Sequence, residues 1–264
     1  MKRVIRYLYK YIVVTKIAEF LRKVKRIIFY KVRYDNIIKY KGIHKGERCF
    51  IIATGPSLTI DDVEILKDEY TFGMNSGIYL IEKSSWSPTY YLLQDKKVYE
   101  KLKNDLAIID NCSVIKFIGD TATQKTSKKD VLYSLRLYNH FVGGTKVDFS
   151  EDCHVYVSDG WTVTYSAIQI AVYMGFSEIY LLGCDSDYSG KMHAEHCVKT
   201  GDKEKMVKGQ EKFGEFSSIA YECAQCYALK RGAKIYNCTR GGKLEVFPRK
   251  TLEDVLQTKL RKEK

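Results

Sequence analysis

The chain has 264 residues, 45% of them apolar, and its 21 Tyr and 11 Phe are enough to fill the core of one large domain. Its formal charge of +12 is concentrated: residues 1–41 carry thirteen Lys or Arg against Glu19 and Asp35, and the remainder is close to neutral. This distribution excludes a generally basic, nucleic-acid-coating surface and points to one basic appendage. The eight Cys are scattered and follow no secretory leader, so reduced thiols and a cytoplasmic location are expected.

In residues 16–29, Ile17, Phe20, Leu21, Val24 and Ile28 recur at the spacing of one helix face, with Lys16, Arg22, Lys23, Lys25 and Arg26 around them. Residues 4–14 are similar. No run reaches the ~20 apolar residues of a membrane span. Residues 1–45 are therefore expected to form a basic amphipathic segment, with residues 1–40 lying on the inner membrane face. There each Lys or Arg near an anionic surface contributes about 1 kcal/mol. The alternative is a helix docked on the domain with its charges in water.

From residue 46 to 264 strand and helix patterns alternate. Strands are expected at 49–53, 70–74, 89–94, 113–118, 177–182 and 233–238. Helices are expected at about 60–68, 96–104, 162–174, 209–231 and 251–261. Such interleaving predicts an α/β fold: a Rossmann-like, mostly parallel sheet with flanking helices. Residues 120–160 read as polar and irregular. Residues 185–208 read as a long loop, and 185–215 as a lid over the active site.

Ligands of open α/β sheets bind beyond the carboxyl ends of the strands. The apolar run 50–53 stops in Thr54-Gly55-Pro56-Ser57, with Asp61 and Asp62 opening the next helix. A strand, a Gly turn and a helix start offer free backbone N–H groups to a phosphate. The turn lacks both G-x-G-x-x-G and the Lys-Ser/Thr of a P-loop. The next strand end supplies Asn75 and Ser76 between Gly73 and Gly77. The third supplies Gln94 and Asp95, and a later one runs into Gly183-Cys184-Asp185-Ser186-Asp187-Tyr188. These amides, hydroxyls and turns suit a base, a ribose and one or two phosphates. Asp159, Thr162 or Thr164 would cap the helix that follows, whose N-terminus is a second anion-receptive point. Ordinary capping is the simpler reading of that segment.

His193 and His196 stand in the loop beyond Asp185, and an imidazole suits proton abstraction from a hydroxyl. His44, His140 and His154 lie outside the strand-end clusters. Asp185-Ser186-Asp187 has the Asp-x-Asp form by which many glycosyltransferases hold a divalent cation. With His193, His196 and Cys197 it completes no ligand set of known spacing, so no metal is expected. Cys223-x-x-Cys226 lacks a second pair and shares a helical stripe with Phe213, Phe216, Ala220 and Tyr227, which reads as core packing.

A family resemblance is carried by Ile51-Ile52-Ala53-Thr54-Gly55-Pro56-Ser57-Leu58, then Asn75, then Ala171-Val172-Tyr173-Met174-Gly175-Phe176-Ser177-Glu178-Ile179-Tyr180-Leu181-Leu182-Gly183-Cys184-Asp185. Over about residues 47–200 the chain resembles bacterial lipooligosaccharide sialyltransferases and the MptE-like group, named for an archaeal 6-hydroxymethylpterin pyrophosphokinase. The tail Tyr236-Asn237-Cys238-Thr239-Arg240-Gly241-Gly242-Lys243 is similar to the polysaccharide-associated members. The resemblance implies a nucleotide-binding domain with a lid. It also implies inverting, metal-independent transfer from a CMP-sugar, or another nucleotide-sugar, to a cell-surface or lipid-linked glycan.

In the sialyltransferases, Asn residues that hold the CMP match Asn75 and fall near Gln94, whereas Thr54 replaces a third. Their Thr-Ser-Gly helix start corresponds to Thr162-Val163-Thr164. Their phosphate-binding loop tyrosines correspond to Tyr188, and their base to His193 or His196. The replaced Asn at Thr54 leads one to expect a related donor. Two alternatives stand beside this reading: an ATP- and Mg-dependent pyrophosphokinase with the metal on Asp185 and Asp187, and a membrane-docked nucleotide binder without turnover. A homo-oligomer stays open.

Overall fold

The computed structural model describes residues 17, 20, 21, 23, 24, 28, 34–123, 127, 129–137, 147–187 and 210–262. Seven strands form one sheet in the order β5-β4-β3-β2-β1-β8-β9. They are β1 (Arg48–Ile52), β2 (Thr71–Met74), β3 (Tyr90–Leu93), β4 (Ile115–Gly119), β5 (Val131–Tyr133), β8 (Glu178–Leu182) and β9 (Lys234–Asn237). Every pairing is parallel, with β1 and β8 in register from Arg48 opposite Glu178 to Ile52 opposite Leu182. The fold is the α/β Rossmann-like sheet that the alternating pattern implies. Short strands β6 (Leu135–Arg136) and β7 (Val157–Ser158) pair apart from it.

The chain winds from β1 outward to β5, then returns to place β8 on the other side of β1. The crevice between β1 and β8 is therefore the topological switch point. Strand residues alternate between two buried faces, as a sheet covered on both sides requires. Cys49, Ile51, Ile179 and Leu181 pack on one face, and Phe50, Ile52, Tyr180 and Leu182 on the other.

The helices are α1 (Ile60–Glu64), α2 (Ile78–Ile81), α3 (Lys96–Leu102), α4 (Leu106–Asp110), α5 (Val163–Met174), α6 (Gln210–Lys230) and α7 (Leu252–Lys262). Helix α5 is central. All its residues but Val172 are buried, and it ends on Gly175 at φ 93°. A left-handed C-terminal residue favours Gly because it carries no Cβ penalty.

Two departures from the sequence reading have physical causes. Helix α1 is shorter than 60–68, because residues 66–69 continue as i→i+3 turns that bring the chain down to β2. The span read as irregular, 120–160, contributes β5, β6 and β7, each too short for an alternation to register. Residues 34–45 lie on the domain body. Ile37 is fully buried, Gly42 N donates to Tyr173 O (3.0 Å), and His44 N donates to Met174 O (2.8 Å). On α6, Ala220 is buried and Cys223 and Tyr227 pack against the core, as the apolar stripe implied.

Candidate functional site

A cavity of about 490 Å³ opens beyond the carboxyl ends of β2, β3 and β4. Asn75, Gln94, Asp95, Thr121, Asp159, Trp161 and Thr162 supply its polar wall, with Lys96, Leu135, Leu137 and Val163 beside them. Asn75 leaves β2 at φ 47°, its carbonyl accepting from the Tyr91 hydroxyl (2.6 Å). Its side-chain oxygen is buried without a hydrogen-bond partner. Such an atom costs roughly 1–3 kcal/mol, which a ligand donor would recover.

Gln94 is fixed in orientation. Its Oε1 accepts from the Tyr133 hydroxyl (3.1 Å), and its backbone carbonyl accepts from Thr121 Oγ1 (2.6 Å). The side-chain oxygen is thus engaged, leaving the amide NH2 as the end offered to the cavity. Gly119 makes room behind it, since a Cβ there would stand 2.9 Å from Gln94 Cβ. Asp95 Oδ1 accepts from Lys97 N (2.8 Å) and Val98 N (3.0 Å), capping α3.

The far wall is the start of α5. Thr162 is its N-cap, accepting from Thr164 N (3.3 Å), and the helix N-terminus carries partial positive charge toward the cavity. Asp159 Oδ1 accepts from Trp161 N (3.0 Å). Trp161 sits at φ 66°, a conformation that costs a bulky residue about 1–3 kcal/mol. Its ring lies 4.8 Å from Phe216 of α6. Gln169 holds this wall in place. Its Oε1 accepts from Ser150 N (3.0 Å) and Ser158 N (2.9 Å), and its Nε2 donates to Ser158 O (2.8 Å) and Tyr165 O (3.2 Å).

The switch point holds a second, tighter cluster. Gly55 N donates to Gly183 O (2.9 Å), and Ser57 Oγ donates to Asp185 Oδ2 (2.8 Å). A Cβ on Gly55 would come within 2.5 Å of Gly183 O and 2.8 Å of Asp185 Cγ, so this turn accepts only glycine without movement. Asp185 is buried and its Oδ1 has no hydrogen-bond partner. Burial pushes its carboxyl pKa up, opposed by the Ser57 hydrogen bonds. Asp187 is ion-paired to Lys243 (2.8 Å), and Lys243 N donates to Asp185 O (2.7 Å). Arg240 of the same tail grips Asp62 with bonds of 2.8 Å from one guanidinium nitrogen to both carboxylate oxygens, and Asp62 in turn closes a capping box with Thr59 on α1.

Of the residues expected to bind the donor, Asn75, Gln94, Asp95 and Thr162 meet around the cavity. Thr54, Gly55, Pro56, Ser57 and Asp185 are not part of its lining, and Gly55, Ser57 and Asp185 make the switch-point cluster. Thr54 stands next to Gly77, whose Cβ would lie 3.6 Å from Thr54 Cγ2. Ser76 belongs to the single turn Asn75–Gly77 and is not in the lining. Thr164 is buried, its hydroxyl directed to Met74 Sδ (3.6 Å). Tyr188, His193, His196 and most of the expected lid lie outside the described residues. Among the described residues no group of three or more His, Cys, Asp or Glu is placed to hold a metal ion. Sequence reasoning missed Lys96, Thr121 and the Leu135–Leu137 wall. Thr121 follows β4 and could have been found by reading one more strand end.

Residues 19–191 match the family model described as 6-hydroxymethylpterin diphosphokinase MptE-like. The chain belongs to the MptE-like family. No curated protein matches its sequence. Among solved structures, this MptE-like chain is similar to the MAF glycosyltransferase of Magnetospirillum magneticum AMB-1 (17% identity, TM-score 0.52), over 87% of this chain and 40% of that one. It spans less than half the length of that protein, and the likeness is one of fold. The sialyltransferase CstII of Campylobacter jejuni, solved with cytidine-5'-monophosphate, matches at 15% identity and a TM-score of 0.43 over 78% of this chain and 85% of that one. A mammalian sialyltransferase matches at 10% identity and a TM-score of 0.38 over 84% and 86%.

Proposed function

We propose that this MptE-like protein is a glycosyltransferase that binds a nucleotide-sugar, a CMP-sugar or close relative, in the cavity beyond β2–β4. It passes the sugar with inversion to a hydroxyl of a cell-surface or lipid-linked glycan. One observation carries the reading: at the carboxyl edge of a Rossmann-like sheet, Asn75, whose side-chain oxygen has no partner in the protein, and Gln94, whose oxygen is held by Tyr133, line a cavity that ends on the N-terminus of α5. That is a polar end for a base or ribose and a cationic end for phosphate. The fold shared with a glycosyltransferase supports it.

In this mechanism His193 or His196 takes the proton from the acceptor hydroxyl. The freed oxygen attacks the anomeric carbon, and the bond from that carbon to the donor phosphate breaks on the opposite face. The start of α5 at Thr162, with Tyr188, steadies the departing phosphate. Replacing His193 and His196 by Ala one at a time is expected to lower kcat by about 10²–10⁴-fold in one variant, with nucleotide affinity retained. Unchanged turnover in both removes the histidine base from the mechanism.

The family's description, a diphosphokinase, favours a second reading: diphosphoryl transfer, with ATP as donor and Mg held by Asp185 and Asp187. Lys243 pairs with Asp187 and Ser57 donates to one Asp185 oxygen, so a cation there would have to displace the lysine. Incubation with ATP and with CMP-sugars, each with and without EDTA, separates the readings. EDTA-sensitive AMP release replaces the first reading with the second. Binding of nucleotide with no product from either donor leaves a binder without turnover.

A further inference from the structure

We propose that Ile17, Phe20, Leu21 and Ile28 form a membrane-docking face, entering the headgroup–acyl boundary of a bilayer rich in anionic lipid. The residues at 17, 20, 21, 23, 24 and 28 are helical. If this helix served the protein's own core, its apolar stripe would face the domain and its lysines the water. The structure instead leaves four residues of the stripe exposed. Ile17, Phe20, Leu21 and Ile28 are 52%, 65%, 59% and 63% exposed. Val24 and Lys23 are half-buried, and the Lys23 side chain reaches the domain. Its ammonium donates to the Val155 carbonyl and stands 5.6 Å from the centre of the Tyr34 ring.

Spacings of i, i+3, i+4 and i+11 put the four exposed side chains on one stripe. Four large apolar residues aligned on one exposed helix face mark an interaction surface. The identity of the occupant follows from charge. Residues 1–41 hold thirteen Lys or Arg against two acids, so an apolar stripe is embedded in strong positive charge. A second copy of the same segment would bring like charge against like. A bilayer of zwitterionic lipid would leave the charge unused. An anionic lipid surface satisfies both features at once. Among the described residues no helix is long and apolar enough to cross a membrane, so the contact is interfacial. The contact would bring the protein to a surface where lipid-linked acceptors reside, but it stands independently of the glycosyltransferase reading.

The experiment is flotation of the full chain with vesicles of phosphatidylcholine alone and of phosphatidylcholine with phosphatidylglycerol. The partners are wild type, the double variant Phe20→Glu/Leu21→Glu, and Ile65→Glu, which changes a similarly exposed apolar residue at the C-cap of α1. Wild type and Ile65→Glu are expected to float with the anionic vesicles and stay behind with neutral ones, and the double variant is expected to lose flotation. The four stripe residues touch solvent, so the double variant should melt at the wild-type temperature. Flotation of the double variant, or failure of wild type to float, overturns the proposal. So does equal flotation with neutral lipid. A wild-type dimer in light scattering that the double variant dissociates, without vesicle binding, assigns the face to a second copy and also overturns it. The readout is binding alone, so an inactive protein that still floats separates this inference from the catalytic one.

Discussion

Asn75 combines a left-handed backbone (φ 47°) with a buried side-chain oxygen that no group in the protein satisfies. The backbone conformation opens the turn at 75–77, but the unsatisfied oxygen does nothing for the fold and points to a ligand. Asn75→Gly keeps the backbone conformation and deletes the amide. Nucleotide affinity is expected to fall by about tenfold, the worth of a hydrogen bond of roughly 1–1.5 kcal/mol, with stability unchanged within about 1 kcal/mol. Calorimetric titration and thermal melts read the two quantities separately. A large loss of stability with unaltered affinity would make Asn75 a structural residue.

Asp185 gives a pH signature at the same scale. Burial raises its folded pKa above the unfolded carboxyl value, so the folded state binds the proton more tightly. The resulting stability is complete below the unfolded pKa, about 3.9, and is lost as pH rises through the raised folded value. Asp185→Asn removes that titration and can still accept from Ser57. The stability of wild type minus variant is therefore expected to decline with rising pH across that window and stay flat above it. Denaturation at a series of pH values measures it, and a difference that rises with pH would show that the Ser57 hydrogen bond outweighs the burial.

Helix α5 is the element that ties the fold to the cavity, and Gln169 is its anchor. The side chain satisfies two N–H groups and two carbonyls, so the β7 segment and the turn at Asp159 and Trp161 are held against the helix by one amide. Gln169→Leu leaves Ser150 N and Ser158 N buried and unpaired, and is expected to destabilise the protein by about 2–4 kcal/mol. Chemical denaturation checks this, and a cost below about 1 kcal/mol would show that the segment finds other partners. The sequence made α5 itself plain: twelve residues of mostly apolar character between a Thr cap and a Gly stop are hard to read otherwise. Gln169 was not plain, because one polar residue inside an apolar helix announces burial but not its partners, which come from residues 150 and 158. The strand ends at Asn75 and Gln94 were legible for a similar local reason, since each directly follows an apolar run. The separation of the 54–57 turn from the cavity was not, because it depends on the order of strands in the sheet, which no local pattern records.

At the scale of the whole molecule the two ends of the sheet differ in kind. At the amino end of the strands His44 forms a plug, its Nε2 2.6 Å from the Tyr90 hydroxyl, its Nδ1 2.5 Å from Glu47, and its ring stacked on Phe176 at 4.4 Å. The polar atoms of His44 are satisfied and the aromatic rings are packed around it. At the carboxyl end lie Asn75, Trp161 and Ser186, the non-glycine residues with positive φ among those described, with the unsatisfied oxygens of Asn75 and Asp185. Positive φ at three non-glycine residues, together with the unsatisfied oxygens of Asn75 and Asp185, is a cost that folding alone does not require, and a bound ligand offsets it. Saturating CMP is therefore expected to slow amide hydrogen exchange at residues 75–77, 94–98 and 159–165 while leaving 42–47 and 70–72 unchanged. A ligand specific to the folded state also raises its stability by about 2.7 kcal/mol at a hundred times Kd. Mass spectrometry of the exchanged peptides locates the effect. Protection confined to 54–58 and 183–187 would place the nucleotide at the β1–β8 switch point instead, and would turn the larger cavity over to the acceptor.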